Sequence, residues 1–358
     1  MTTKTTKRIA PVSDGVISDD DAPSVSNSNM GAAAAAALVM PEKKRYRFLD
    51  SIRSAVFILG SAALVFVAAR NSLTWHAERL WGASGDFWQS HWQIIHEYLG
   101  GDELLIGFFL VFGVPTMAFW LFNAFFVLLD TLRWPMFKKY KIQEDVHVPG
   151  GMIAKAVLRA LFNQFCVGGP VLYGFHVLSR WRGCSAGVEL PTFQWVVWEL
   201  FVFVWIEEFG FYYAHRMFHH PRIYKYFHKV HHEFTAPIGV ASIYAHPLEM
   251  ILANIVPLAL GPLICGSHVA TAMLWYTIAM LSTTVSHCGY HLPFLPSPEA
   301  HDFHHLKWNQ NFGMLGVLDR LHGTDALFRK TKAYERHFML LSLVPMRELI
   351  PDESKKSE

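Results

Sequence analysis

Apolar positions fall in long runs rather than at amphipathic spacing. Apolar stretches cover about 52–69, 104–128, 153–176 and 194–213, and a final block covers about 248–286. The first holds 18 residues with Arg53 at its edge, and the second is longer. Each meets the roughly 17 to 25 residues that a helix needs to cross a bilayer. The 153–176 and 194–213 stretches fit either a spanning pair or a shallow re-entrant pair, and Arg180 and Arg182 between them disfavour full translocation of that loop. Gly261, Pro262 and Gly266 interrupt the final block, which predicts a helical hairpin that crosses and returns. The pattern predicts an all-α polytopic membrane protein with about four to six membrane segments.

Polar segments organise the rest. Residues 1–42 mix Ser, Asp, Thr and Lys with a six-alanine run and no apolar periodicity, which reads as a disordered tail. Membrane anchor segments are expected over 43–150, a catalytic domain over 151–345 and a polar tail over 346–358. The first apolar run begins after the basic cluster Lys43, Lys44, Arg45 and Arg47, so it reads as an anchor and not a removed leader. Residues 70–103 carry two basic and five acidic groups, whereas Lys138, Lys139 and Lys141 follow the second run. The positive-inside rule then places both termini and the 132–150 loop in the cytosol.

Composition sharpens this reading. The 358 residues are 52% hydrophobic and 15% aromatic, the usage expected where lipid is the solvent for much of the surface. With 31 Lys+Arg against 29 Asp+Glu there is no basic field to recruit nucleic acid. Cys166, Cys184, Cys265 and Cys288 are scattered without C-x-x-C spacing, which suggests neither a disulfide framework nor a thiolate zinc site.

The unusual number is 20 histidines, thirteen of them between 215 and 305. His215 and His219 stand i, i+4 in HRMFH, and His228, His231 and His232 stand i, i+3, i+4 in HKVHH. Beyond the hairpin the steps recur, in HCGYH (His287, His291) and in HDFHH (His301, His304, His305). On a helix such steps put each group's rings on one face. Ten imidazoles exceed the coordination of one ion, and neutral imidazoles suit iron, zinc or copper, so two metals on one side of the membrane are implied. The Glu-x-x-His motif of soluble di-iron bundles does not occur among them. Of the others, His220 and His246 read as spectators or supports. An acidic group at the membrane end of an apolar run is costly unless used, which makes Glu207 or, preferably, Glu208 a catalytic candidate two turns before His215. Glu249 and Asp302 are candidates to orient ligands through the second imidazole nitrogen. Tyr212, Tyr213 and Trp308 read as pocket or interface aromatics.

These blocks, 215–249 and 286–325 within about 194–345, resemble the fatty acid hydroxylase and sterol desaturase superfamily, and within it the C4-methylsterol monooxygenases. The resemblance implies a non-haem di-iron centre on the cytosolic face of the endoplasmic reticulum, with the ten histidines named above as ligands. It further implies O2 as co-substrate, electrons from NAD(P)H through cytochrome b5 or its reductase, and hydroxylation of a lipid, foremost the C4-methyl group of a sterol. A fatty acyl or sphingolipid chain is the alternative substrate. A catalytically silent metal-binding scaffold or a transporter is the alternative class. The likeness departs at Ser242 and Ile243, where those oxidases read Ala-Glu, and in a shorter 292–300 segment. Lys355 and Lys356 occupy the positions of a dilysine retrieval signal.

Overall fold

The computed structural model describes residues 43–352, so the expected disordered tail and the Lys355–Lys356 pair lie outside the described residues. Two compact units divide between Arg79 and Leu80. The first is the leading part of a 56-residue helix, α1 (Lys43–Tyr98), whose apolar stretch Val56–Val65 exposes Phe57, Ile58 and Leu64.

The second unit holds everything that builds a site. Asp102 caps α2 (Glu103–Leu132), accepting from the Leu104 and Leu105 amides at 2.9 Å. The expected 153–176 segment is two pieces, α3 (Gly150–Leu161) and α4 (Gly169–Arg182), joined by a π turn over Phe162–Gly168. Helix α5 (Phe193–Phe218) follows, then the predicted hairpin of α6 (Pro247–Cys265) and α7 (Val269–His287). The hairpin turns at Gly266, whose φ of 67° suits glycine, and His268 caps α7. Two short helices, α8 (Glu299–Lys307) and α9 (Val317–His322), lie beyond it. Further π turns occupy Gly107–Gly113 in α2 and Met250–Ile255 in α6. Among the described residues no strand forms beyond one isolated bridge between Lys141 and Tyr290.

Helices α2, α6 and α7 are long and apolar enough to cross a membrane. Phe108, Phe109, Met117 and Leu121 of α2 stand exposed, a surface that water would not tolerate and lipid would. Helix α5 is different because it buries three glutamates, Glu199, Glu207 and Glu208. The chain is a multi-pass membrane protein.

The boundary expected near residue 150 has no counterpart. Helix α2 packs along α7, where buried Asn123 donates to Thr284 Oγ1 at 3.1 Å, and Phe119 shares a core with Ala156, Phe234, Val240 and Tyr244. Within the second unit, residues 80–150 therefore pack directly on the segments beyond residue 150. The polar tail expected from 346 is likewise corrected, because Met346 is buried beside Phe126, Leu129 and Tyr290, and Arg336 donates to the Ile350 carbonyl at 2.7 Å.

Helices α5 and α6 meet at glycine. A Cβ on Gly261 would stand 2.8 Å from Phe203 Cδ1 and 3.1 Å from its Cα, whereas one on Gly174 of α4 would meet nothing. Gly261→Ala is expected to destabilise the protein by about 1–3 kcal/mol through overpacking. Gly174→Ala should be neutral or stabilising by about 0.5–1 kcal/mol. Thermal unfolding in detergent separates the two.

Candidate metal centre

Four separate segments deliver nine imidazoles to one place. Helix α5 ends at Phe218, with Pro221 barring its continuation, so His215 sits on its last turn and His219 at its cap. The HKVHH segment winds as a 3-10 turn (His228–Glu233) and not as an α-helix. Its tighter pitch stacks His228 over His231, ring centroids 5.2 Å apart. His287 is the final residue of α7, and α8 presents His301, His304 and His305.

The rings form two adjoining groups. In one, the nitrogens of His215, His219, His228, His232 and His304 lie within 4.8 Å of one another; in the other, those of His231, His287, His301 and His305 do. The groups touch where His232 and His305 approach to 4.8 Å between centroids. Within the first, Nε2 atoms face each other at 3.2 Å (His215 and His228) and 3.1 Å (His232 and His228). Within the second the distances are 3.4 Å (His287 and His231) and 2.8 Å (His301 and His287).

His291 is the exception among the ten expected ligands, and the structure does not bring it to either group. The i, i+4 step from His287 fails because α7 stops there and Gly289 turns the chain at φ 72°. A Cβ at Gly289 would lie 2.9 Å from the Pro237 carbonyl. His291 instead contacts the Phe338 carbonyl at 3.0 Å and Glu299 at 3.3 Å.

The outer nitrogens decide what the inner ones are. A carbonyl only accepts, so a ring nitrogen against one carries the proton. His215 Nδ1 lies 2.7 Å from the Phe312 carbonyl, His304 Nδ1 2.6 Å from Gln310, His305 Nδ1 2.9 Å from Phe234, and His287 Nδ1 2.8 Å from Thr283. His231 Nδ1 faces the Tyr244 carbonyl at 3.3 Å, and His228 Nδ1 the Glu249 carboxylate at 2.7 Å. In a neutral ring Nε2 is then a bare lone pair. Burial and mutual repulsion keep the rings neutral: His219, His228, His231, His301, His304 and His305 are held below the ordinary imidazole range, and His232 is pushed down to about 3. Lone pairs facing each other at 3.2 Å repel unless a cation lies between them. The Nε2 atoms of His304 and His305 have no protein partner at all. The donor set fits two transition-metal ions held by neutral imidazoles, six of which have the outer nitrogen fixed by a carbonyl or by Glu249.

Glu249, expected to orient a ligand, is buried with its carboxylate against His228 Nδ1. Glu249→Ala should weaken metal binding about 10–100-fold while Glu249→Gln, which still accepts, retains most of it. Competition with a chelator measures this. Asp302 lies against none of these outer nitrogens; it accepts from Gln143 at 2.9 Å, and burial pushes its carboxyl up to about 7.

Glu208, the preferred catalytic candidate, has another task. Fully buried, it accepts from the Met314 and Leu315 amides at 2.9 and 2.8 Å and from Leu318 at 3.4 Å. Asp319 takes the Phe312 and Gly313 amides at 2.8 and 2.7 Å. The two carboxylates hold the loop that offers the Gln310 and Phe312 carbonyls to His304 and His215. Glu208 is therefore a positioning residue. Asp319 and the carbonyls carry no signal in residue type or spacing, because the path of the loop alone places them. Tyr212 is buried and reaches Thr324 Oγ1 at 3.1 Å, Tyr213 is exposed, and Trp308 ends α8. His220 and His246 cap short helices and stay outside both groups.

His287 and His301 also form the end of a cavity of about 420 Å³ that runs back between the helices along Phe112, Leu258 and Trp275. A second cavity, of about 340 Å³, shares its walls at Val111, Leu172 and Tyr276. All three π turns contribute to these walls. The lining of the first cavity thus joins apolar side chains to two rings of the second group.

Comparison with known proteins bears on the same region. Residues 200–324 match the family model described as fatty acid hydroxylase. The chain is 48% identical over 319 residues to fatty acid hydroxylase domain-containing protein 2 of Homo sapiens, covering 88% of this chain and 96% of that one. It is 31% identical to methylsterol monooxygenase 2-2 of Arabidopsis thaliana, covering 70% and 97%. It is 32% identical to the very-long-chain aldehyde decarbonylase GL1-11 of Oryza sativa subsp. indica, covering 65% and 94%. No solved structure matches.

Proposed function

The chain belongs to the fatty acid hydroxylase family, and we propose that it is a membrane-bound oxygenase that holds two iron ions and hydroxylates a lipid, foremost the C4-methyl group of a sterol. The observation that carries this reading is the meeting of nine imidazoles, their lone pairs turned inward, with the end of an apolar cavity.

Bound iron supplies the oxidising chemistry: one atom of O2 enters a C–H bond and the other leaves as water, consuming two electrons and two protons. The chain's own residues do the rest. Nine rings hold the ions, and carbonyls and Glu249 fix the rings. Apolar walls exclude water and bring the hydrocarbon beside His287 and His301. NAD(P)H, through cytochrome b5 or its reductase, is the proposed electron source, and the cytosolic face of the endoplasmic reticulum the proposed setting. The methylsterol relative supports the sterol substrate. The 32% identity to a long-chain aldehyde enzyme, together with the two cavities that share a wall, supports a fatty acyl or sphingolipid chain as the second reading.

The direct test is lipid profiling after deletion, paired with oxidation by the purified protein under O2. Accumulation of 4-methyl sterols supports the sterol substrate. Accumulation of unhydroxylated chain lipids moves the assignment to the second reading. Full biological function with alanine at His228, His231 and His232 would mean a scaffold.

A further inference from the structure

The cavity that ends at His287 and His301 contains a group that a plain hydrocarbon channel does not need. Glu207 forms part of its wall, eight residues before His215 on α5. The residue is only 9% exposed, and its Oε2 is buried with no hydrogen-bond partner. Neighbouring positions on a helix diverge by about 100°. Glu208 turns one way and is satisfied by loop amides, whereas Glu207 turns toward the cavity. A second unpartnered polar atom lines the same cavity, the Oγ of Ser242, itself 5% exposed.

An unpaired carboxyl in apolar surroundings is costly, and such groups persist where a ligand completes them. Oxygens at Glu207 and Ser242 call for a partner that both donates and accepts, which is the chemistry of an alcohol. An alkyl chain would leave both unsatisfied.

We propose that Glu207 is the specificity-determining residue of this cavity, receiving a hydroxyl group of the lipid and so fixing which carbon lies beside His287 and His301. The proposal deepens the oxygenase reading and rests on its premise that the cavity takes a lipid. A site built to bond a hydroxyl rejects the analogue that lacks it far more strongly than an apolar pocket rejects a missing methylene.

The test uses the full chain, metal-loaded, in nanodiscs. Equilibrium binding is measured for two pairs of radiolabelled lipids: a 4-methyl sterol against its 3-deoxy counterpart, and a long-chain alcohol against the matching alkane. Wild type is expected to prefer the hydroxyl member of one pair by at least about tenfold, and the pair that responds identifies the source of the hydroxyl. Glu207→Leu is expected to bring that ratio to about one. Glu207→Gln, equal in shape, should leave an intermediate ratio and widen the spread of oxidised positions found by mass spectrometry. A ratio near one in wild type for both pairs overturns the proposal, as does an unchanged ratio in both variants. Glu207-dependent selectivity without O2-dependent product would overturn the oxygenase reading alone. Product formation without such selectivity would overturn this proposal alone.

Discussion

Alanine at His287 is expected to reduce bound metal from two ions per chain to one and to lower lipid hydroxylation by at least on the order of a thousandfold. The second group has four rings, and His287 lies between two of them, 3.4 Å from His231 and 2.8 Å from His301. Its loss leaves three ligands and removes the ring that closes the cavity. The first group keeps all five of its imidazoles. Elemental analysis of anaerobically purified protein gives the stoichiometry, and product formation gives the rate. His291→Ala supplies the contrast, since its ring faces Phe338 and Glu299 and metal content should stay at two. Equal metal loss in both variants would contradict the assignment of rings to groups.

Glu208→Ala is expected to damage the fold and the first metal group together. The substitution strips two close acceptor contacts from the Met314 and Leu315 amides and a longer one from Leu318. Buried amides left unpaired cost about 1–3 kcal/mol each, so a loss of roughly 3–5 kcal/mol is anticipated. The loop they anchor supplies the carbonyls that fix His215 and His304, so the first group should lose metal before the second. Thermal unfolding and metal content are the two readouts. A residue whose role was proton transfer would behave otherwise, leaving a stable, fully loaded and inactive protein.

How far the sequence revealed this arrangement depends on the length scale of each signal. The hairpin was legible because Gly261, Pro262 and Gly266 break one apolar block, and its two arms bring histidines before and after it to one side. Nine of the ten histidines singled out by spacing are brought together, because i, i+4 survives helix ends and a 3-10 turn alike. His291 failed because Gly289, one residue past a helix cap, redirects the chain. Glu208 was recognised as an expensive buried acid, but its partner was taken to be the reaction when it is a loop over a hundred residues away. The packing across residue 150 is hidden from the sequence for a related reason. Composition shifts mark where membrane runs end, while the packing of α2 on α7 depends on contacts such as Asn123 with Thr284 that no local pattern encodes.

The hairpin also sets an order of events during synthesis. His215, His219, His228, His231 and His232 emerge first, and the remaining four rings lie at the last residue of α7 or beyond it. A nascent polypeptide whose second arm has not returned across the bilayer strands its late imidazoles in the wrong compartment. On the proposed two-metal reading, metal content would therefore report on topogenesis, because only a molecule with both arms in place would gain ligand-derived stability.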